Sequence, residues 1–144
     1  MRKVWVVVAN RSDSKIYRAE NVNTLVEHKS LTHKEAHLND HDLIADGPGR
    51  TGQKGVHGSD TLSEKTTQQD KEAKIFATEI ASFLEQGYNS GECERVYLVA
   101  KAPFLGFLRE SLHPNVVKMV ESEIHKDIVD QRPEQIREYL PPVL

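Results

Sequence analysis

The chain has 144 residues, the size of one compact domain, with 38% hydrophobic and 28% charged residues and a formal charge of −3 at pH 7. No apolar run approaches the roughly 20 residues of a membrane helix, so no bilayer span is expected. A pI near 6.2 argues against a protein held on DNA or RNA by its overall field, so any RNA contact has to be local. The lone Cys93 cannot form an internal disulfide and has no cysteine partner at metal spacing, which fits a reducing compartment.

"VWVVVA" (4 to 9) is a continuous apolar run, shorter than a signal-peptide core and rich in β-branched residues, and is predicted to be a central strand buried on both faces. With charge returning at Arg11, the chain is expected to be cytoplasmic. "KIYRAE" (15 to 20) and "TLVEHKSL" (24 to 31) follow across the short polar connectors "NRSD" and "NVN", completing a three-stranded meander. From Thr32 to Glu64 the chain is polar and holds most of the glycine, and is predicted to be a long mobile loop. Thr66 and Gln69 are spaced as a capping box. Ala73, Phe76, Ala77, Ile80, Phe83 and Leu84 then form a helical stripe that Gly87 is expected to stop. "RVYLVA" (95 to 100) reads as a second buried strand, and "APFLGFLRESL" as a helix with Pro103 in its first turn, ended by His113-Pro114. "VVKMVESEIHKD" (116 to 127) is predicted to be a strand and "RPEQIREYL" (132 to 140) a short helix opened by Pro133. The predicted fold is α/β, with a ribonuclease H-like mixed five-stranded sheet in one domain spanning residues 1 to 144.

Several motifs can be tested against that frame. "GPGRTG", Gly47 to Gly52, satisfies G-x-G-x-x-G, but no strand precedes it and no helix opens within it, so it lacks the context of a dinucleotide fingerprint. A two-metal nuclease needs carboxylates on the first strand, which has none. His33, His37 and His41 recur every four residues with Glu35, Asp40 and Asp42 interleaved or adjacent, spacing that could serve a metal on a helix, yet nothing apolar would anchor that helix. Neither a metal nor another cofactor is expected.

"VVVANRSDSKIYRA", "LTHKEAHLNDHDLIADGPGR", "FATEIASFLEQG", "YLVAKAPFLGFLRESL" and "EIHKDI" together resemble the bacterial family of proteins required for attachment to host cells, over nearly the whole chain. That family in turn resembles the ribonuclease H-like central domain of archaeal and eukaryotic peptide-chain release factors, which carries a mobile Gly-Gly-Gln loop. The resemblance implies a release-factor-like protein that engages the ribosome or tRNA through its glycine-rich loop, with hydrolysis of the peptidyl-tRNA ester as the candidate reaction. Gly52 and Gln53 stand where Gly-Gln would, preceded by Thr51 where the motif has glycine. A neutral amide there could position water, while the glycines let the backbone pass through a crowded RNA cavity. Arg50, Lys54, Arg11 and Lys101 are the expected contacts to RNA phosphates or to another partner. Two alternatives stay open, a non-catalytic factor required for attachment to host cells and a protein-interaction module.

Overall fold

The structure, a computed structural model, describes residues 3–36 and 58–144, with residues 58–67 through their backbone only. Strand β1 (Val4–Ala9) is followed by β2 (Asp13–Asn21), β3 (Thr24–Thr32), helix α1 (Gly58–Asn89), β4 (Arg95–Val99), α2 (Phe104–Ser111), the one-turn α3 (Pro114–Val117), β5 (Val120–Ile124) and α4 (Pro133–Arg137). The five strands form one sheet in the order β3-β2-β1-β4-β5, so the apolar run at the start of the chain lies at its centre. β2 pairs antiparallel with β1 and β3, whereas β4 runs parallel to β1 and β5 parallel to β4. This mixed α/β sheet is compatible with the ribonuclease H-like order.

Alternation along β1 divides the interior into two layers, because successive side chains point to opposite faces. Trp5, Val7 and Ala9 join Phe76, Ile80 and Leu84 of α1 and Phe104, Leu105 and Leu108 of α2. Val4, Val6 and Val8 join Tyr17, Tyr97, Ile136 of α4 and the C-terminal Leu140 and Leu144. All six residues of β1 are buried, which is why the strand shows no polar alternation in the sequence.

Three boundaries differ from the sequence expectation. α1 begins at Gly58 rather than at a Thr66 cap. From Ser59 to Gln86 the chain has neither glycine nor proline, so no backbone chemistry separates the Thr66 region from what precedes it. The helix also continues past Gly87 to Asn89. Its stop is Gly91, at φ 77°, and the closing bonds from Glu92 N–H to Gly87 C=O (2.9 Å) and from Gly91 N–H to Tyr88 C=O (3.1 Å) form a Schellman motif. Gly87 has a different role, since a Cβ there would lie 2.6 Å from Trp5 Cζ3. Finally, the predicted strand over 116–127 reduces to β5 (Val120–Ile124). Pro114 takes the first position of α3, and His113 caps it by accepting from Asn115 N–H at 3.1 Å, so Val116 and Val117 become helical.

Of the expected loop from Thr32 to Glu64, Thr32 ends β3, residues 34–36 are helical and residues 58–64 belong to α1. Residues 37–57 lie outside the described residues, and with them the G-x-G-x-x-G match, His37, His41, Arg50, Gly52, Gln53 and Lys54.

Candidate functional site

Ligands of open α/β sheets bind outside the carboxyl ends of parallel strands, where neighbouring connections leave in opposite directions. Here that point lies between β1, whose chain turns toward β2, and β4, whose chain crosses through α2 toward β5. A cleft of about 570 Å³ opens there, walled by the β1–β2 turn, the β4–α2 connection, Asp127 beyond β5, and Gln69, Asp70 and Ala73 of α1. Its size falls in the usual range for small-ligand sites.

The β1–β2 turn is organised by Asn10. Its Oδ1 accepts from Ser12 N–H (2.9 Å), Asp13 N–H (2.8 Å) and Ser12 O–H (3.2 Å), while its own N–H donates to Asp13 C=O (2.9 Å). A short amide side chain that mimics a backbone turn is the usual means of fixing so tight a reversal. Arg11 is held on this turn and is itself engaged by other groups. Asn10 Nδ2 also reaches Asp127 Oδ1 at 3.4 Å, linking the β1 and β5 walls.

On the β4 wall, Lys101 is exposed and its carbonyl accepts from Leu105 N–H (2.9 Å), starting α2 directly after the strand. Pro103 occupies the cap position of α2 without a side-chain cap, and the Ala102–Pro103 peptide bond is cis. Phe104 and Phe107 give this wall an apolar surface, with Lys74 Nζ 5.3 Å from the Phe107 ring centroid. Among the described residues the lining combines two cations, Arg11 and Lys101, with two carboxylates, Asp70 and Asp127, around an apolar wall.

A buried histidine braces the neighbouring wall. His33 is 4% exposed, its Nε2 lies 2.6 Å from Glu72 Oε2, and its ring stacks on Phe76 at 5.6 Å. Its backbone N–H donates to Ser12 C=O at 2.8 Å, so one residue ties the end of β3, the Arg11 turn and α1 together. Glu35 Oε2 faces the other ring nitrogen at 3.6 Å, and Gln68 Nε2 donates to Glu72 Oε1 at 3.2 Å. His33 is thus a satisfied structural histidine. Among the described residues no group of three or more His, Cys, Asp or Glu side chains is placed to hold a metal ion. Cys93 is buried and its thiol is pushed up to about 12, chiefly by burial, which favours the protonated thiol.

Two residues expected from the sequence, Arg11 and Lys101, are therefore brought to one cleft although 90 positions separate them. Gly52, Gln53, Arg50 and Lys54 lie outside the described residues. Asn10, Gln69, Asp70, Phe104, Phe107 and Asp127 are among the cleft residues that sequence reasoning missed. Only Asn10 carried a local signal, as the first residue of a polar turn after an apolar strand.

Fold and cleft together define a mixed α/β protein with a ligand-sized polar cleft at the carboxyl ends of its parallel strands. The family model described as "Protein required for attachment to host cells" matches residues 5–140, and the chain belongs to that family. No curated protein matches the chain. Among solved structures, the chain is similar to an archaeal translation termination factor, aRF1, with a TM-score of 0.51 and 11% identity, covering 96% of this chain and 35% of that one. A structure titled "Archaeal protein" gives a TM-score of 0.48 at 12% identity, covering 92% of this chain and 32% of that one. The chain thus spans about a third of the length of these solved chains, and the likeness to the termination factor is one of fold. No helix among the described residues is long and apolar enough to cross a membrane.

Proposed function

We propose that this protein is a non-catalytic binding factor on which attachment to host cells depends, and that its partner engages the cleft between Arg11 and Lys101. The observation that carries the reading is the extent of the family match, residues 5–140, which takes in every cleft element from Asn10 to Asp127. The fixed turn at Asn10 and the apolar wall at Phe104 and Phe107 support recognition of a partner by shape, with the two cations setting orientation. On this reading the protein acts from the cytoplasm and its effect on attachment is indirect.

Complementation tests the proposal. A strain lacking the gene should regain attachment with the wild-type protein, but not with Lys101→Glu or Arg11→Glu carried at the same cellular level. Lys101→Glu should leave thermal stability nearly unchanged, because Lys101 is an exposed side chain. Full attachment with both charge reversals would refute a role for the cleft.

A second reading is favoured by the termination-factor fold alone. In it the protein engages the ribosome or tRNA, Arg50, Lys54, Arg11 and Lys101 contact phosphates, and Gln53 with Gly52 positions water against the peptidyl ester. Cosedimentation with ribosomes should then weaken steeply with salt, and Gln53→Ala should lose peptidyl-tRNA turnover while still cosedimenting. Salt-independent or undetectable association leaves the first reading in place.

A further inference from the structure

Two adjoining hollows lie at the end of the sheet opposite the cleft, where β1 begins and α1 ends. One is about 440 Å³ and the other about 250 Å³, and they share Trp5, His28 and Glu92 as walls. The rings of Trp5, His28 and Phe83 form a cluster here, with centroids 5.0 Å apart for Trp5 and His28 and 5.4 Å for Trp5 and Phe83. Trp5 is only 1% exposed, yet its indole N–H has no hydrogen-bond partner. A buried tryptophan N–H ordinarily finds an acceptor, and one that does not calls for an explanation. Packing against Gly87, which has no Cβ, accounts for the size of the indole but supplies no acceptor for its N–H.

The surroundings narrow what could meet that donor. Lys3 and Arg18 on the rim are matched by Glu20 and Glu92, with Arg18 and Glu20 already paired at 3.2 Å, so the rim has no net formal charge among the described residues. A charged ligand gains little there. His28 is exposed on edge strand β3 and rests over the indole, making it the ring whose displacement opens the way to Trp5.

We propose that this aromatic groove is a binding site for a small, neutral, planar aromatic ligand bearing a carbonyl acceptor, of the aromatic-amide class, with the Trp5 N–H as its donor. The site is independent of the cleft and of the proposed role in attachment. The ligand ring lies against Phe83 and the displaced His28, and its carbonyl accepts from Trp5 Nε1.

Trp5 is the only tryptophan in the chain, so one indole N–H resonance reports on the site. Benzamide at millimolar concentration should move that resonance downfield with a saturable dependence, whereas benzoate and benzylamine should leave it in place. Ligand-observed NMR should show benzamide binding about tenfold more weakly to Trp5→Phe, the loss of one hydrogen bond. Should that variant fail to fold, His28→Ala, a change at an exposed position, must still alter the benzamide affinity severalfold. An unmoved indole resonance, equal shifts with all three probes, or unchanged affinity in both variants would overturn the proposal.

Discussion

The two ends of the sheet are spanned by the same strands and the same helix, yet they are built on opposite terms. At the end where β1 begins, Trp5 fits against a helix position that has no Cβ, and a Schellman motif closes α1 over it. At the other end β1 and β4 finish in turns whose side chains surround a cleft, and the bracing is polar, through Asn10 and through His33 with Glu72. Interlocking apolar surface resists any change of volume, whereas a polar bracket tolerates change so long as its hydrogen bonds are kept. A rigid end and an adjustable end on one framework give a mechanical basis for a partner site at the second.

Substituting Gly87 should break that contrast most sharply. Gly→Ala inside a helix ordinarily gains about 1 kcal/mol, but Gly87→Ala drives a methyl into the Trp5 ring and should lose about 1–3 kcal/mol. Denaturant unfolding of Gly87→Ala, of Trp5→Leu and of the double variant checks the cause, because the smaller Leu should remove most of the penalty. Additive losses would mean that the ring and Gly87 do not interlock.

At the cleft end, Glu72→Ala leaves the buried His33 ring without its carboxylate partner and should cost about 1–3 kcal/mol. Chemical-shift changes should reach Ser12 and Arg11 through the His33 backbone bond while Trp5 stays unmoved. Shifts as large at Trp5 as at Ser12 would show that the two ends are not mechanically separate.

The smallest effect belongs to neither end. Arg109 of α2 pairs with Glu123 of β5 through Nε to Oε2 at 2.9 Å and through its terminal nitrogen to Oε1 at 2.5 Å. The hydrogen bond from Arg109 is the main cause holding the Glu123 carboxyl below the usual carboxylate range, with burial opposing it. A depressed carboxyl stabilises the fold above its unfolded pKa, and that contribution disappears as pH falls through the folded value. Glu123→Gln should therefore be slightly less stable than the wild type at neutral pH, with the difference vanishing in acid. Arg109 is exposed and Glu123 partly so, and added salt should therefore shrink it as well. A difference that persists at low pH would place the cause in packing instead.

Elements whose residues share one environment were the legible ones. β1 is buried on both faces and reads as an unbroken apolar run, and the stripe from Ala73 to Leu84 follows the helical period because one side of α1 meets the sheet. Val116 and Val117 misled, because a proline and a histidine cap decide their backbone while side-chain alternation says nothing of either. Gly87 misled for a similar reason, since Gly91 ends the helix in its place. Which glycine ends the helix depends on a positive φ, and which one is needed inside it depends on a tryptophan 82 positions away in sequence. The cleft was half legible. Arg11 follows a clear strand and Lys101 another, but Asp70 joins them only through the packing of α1 on the sheet, and Asp127 only through the parallel pairing of β1, β4 and β5.

That pairing also governs the order in which the protein can be made. β1 leaves the ribosome before its partners and gains β2 as a neighbour within a few residues, but its other edge waits for Arg95–Val99, with the whole of α1 to be synthesised between. Until then a valine-rich strand presents one open row of backbone donors and acceptors, the kind of edge that recruits other chains. Long-range parallel pairing forms slowly, because the intervening loop must close before any contact is gained. A nascent chain halted before β4 is therefore the species most exposed to aggregation, and for this protein the dangerous interval of folding ends only when Arg95–Val99 has emerged.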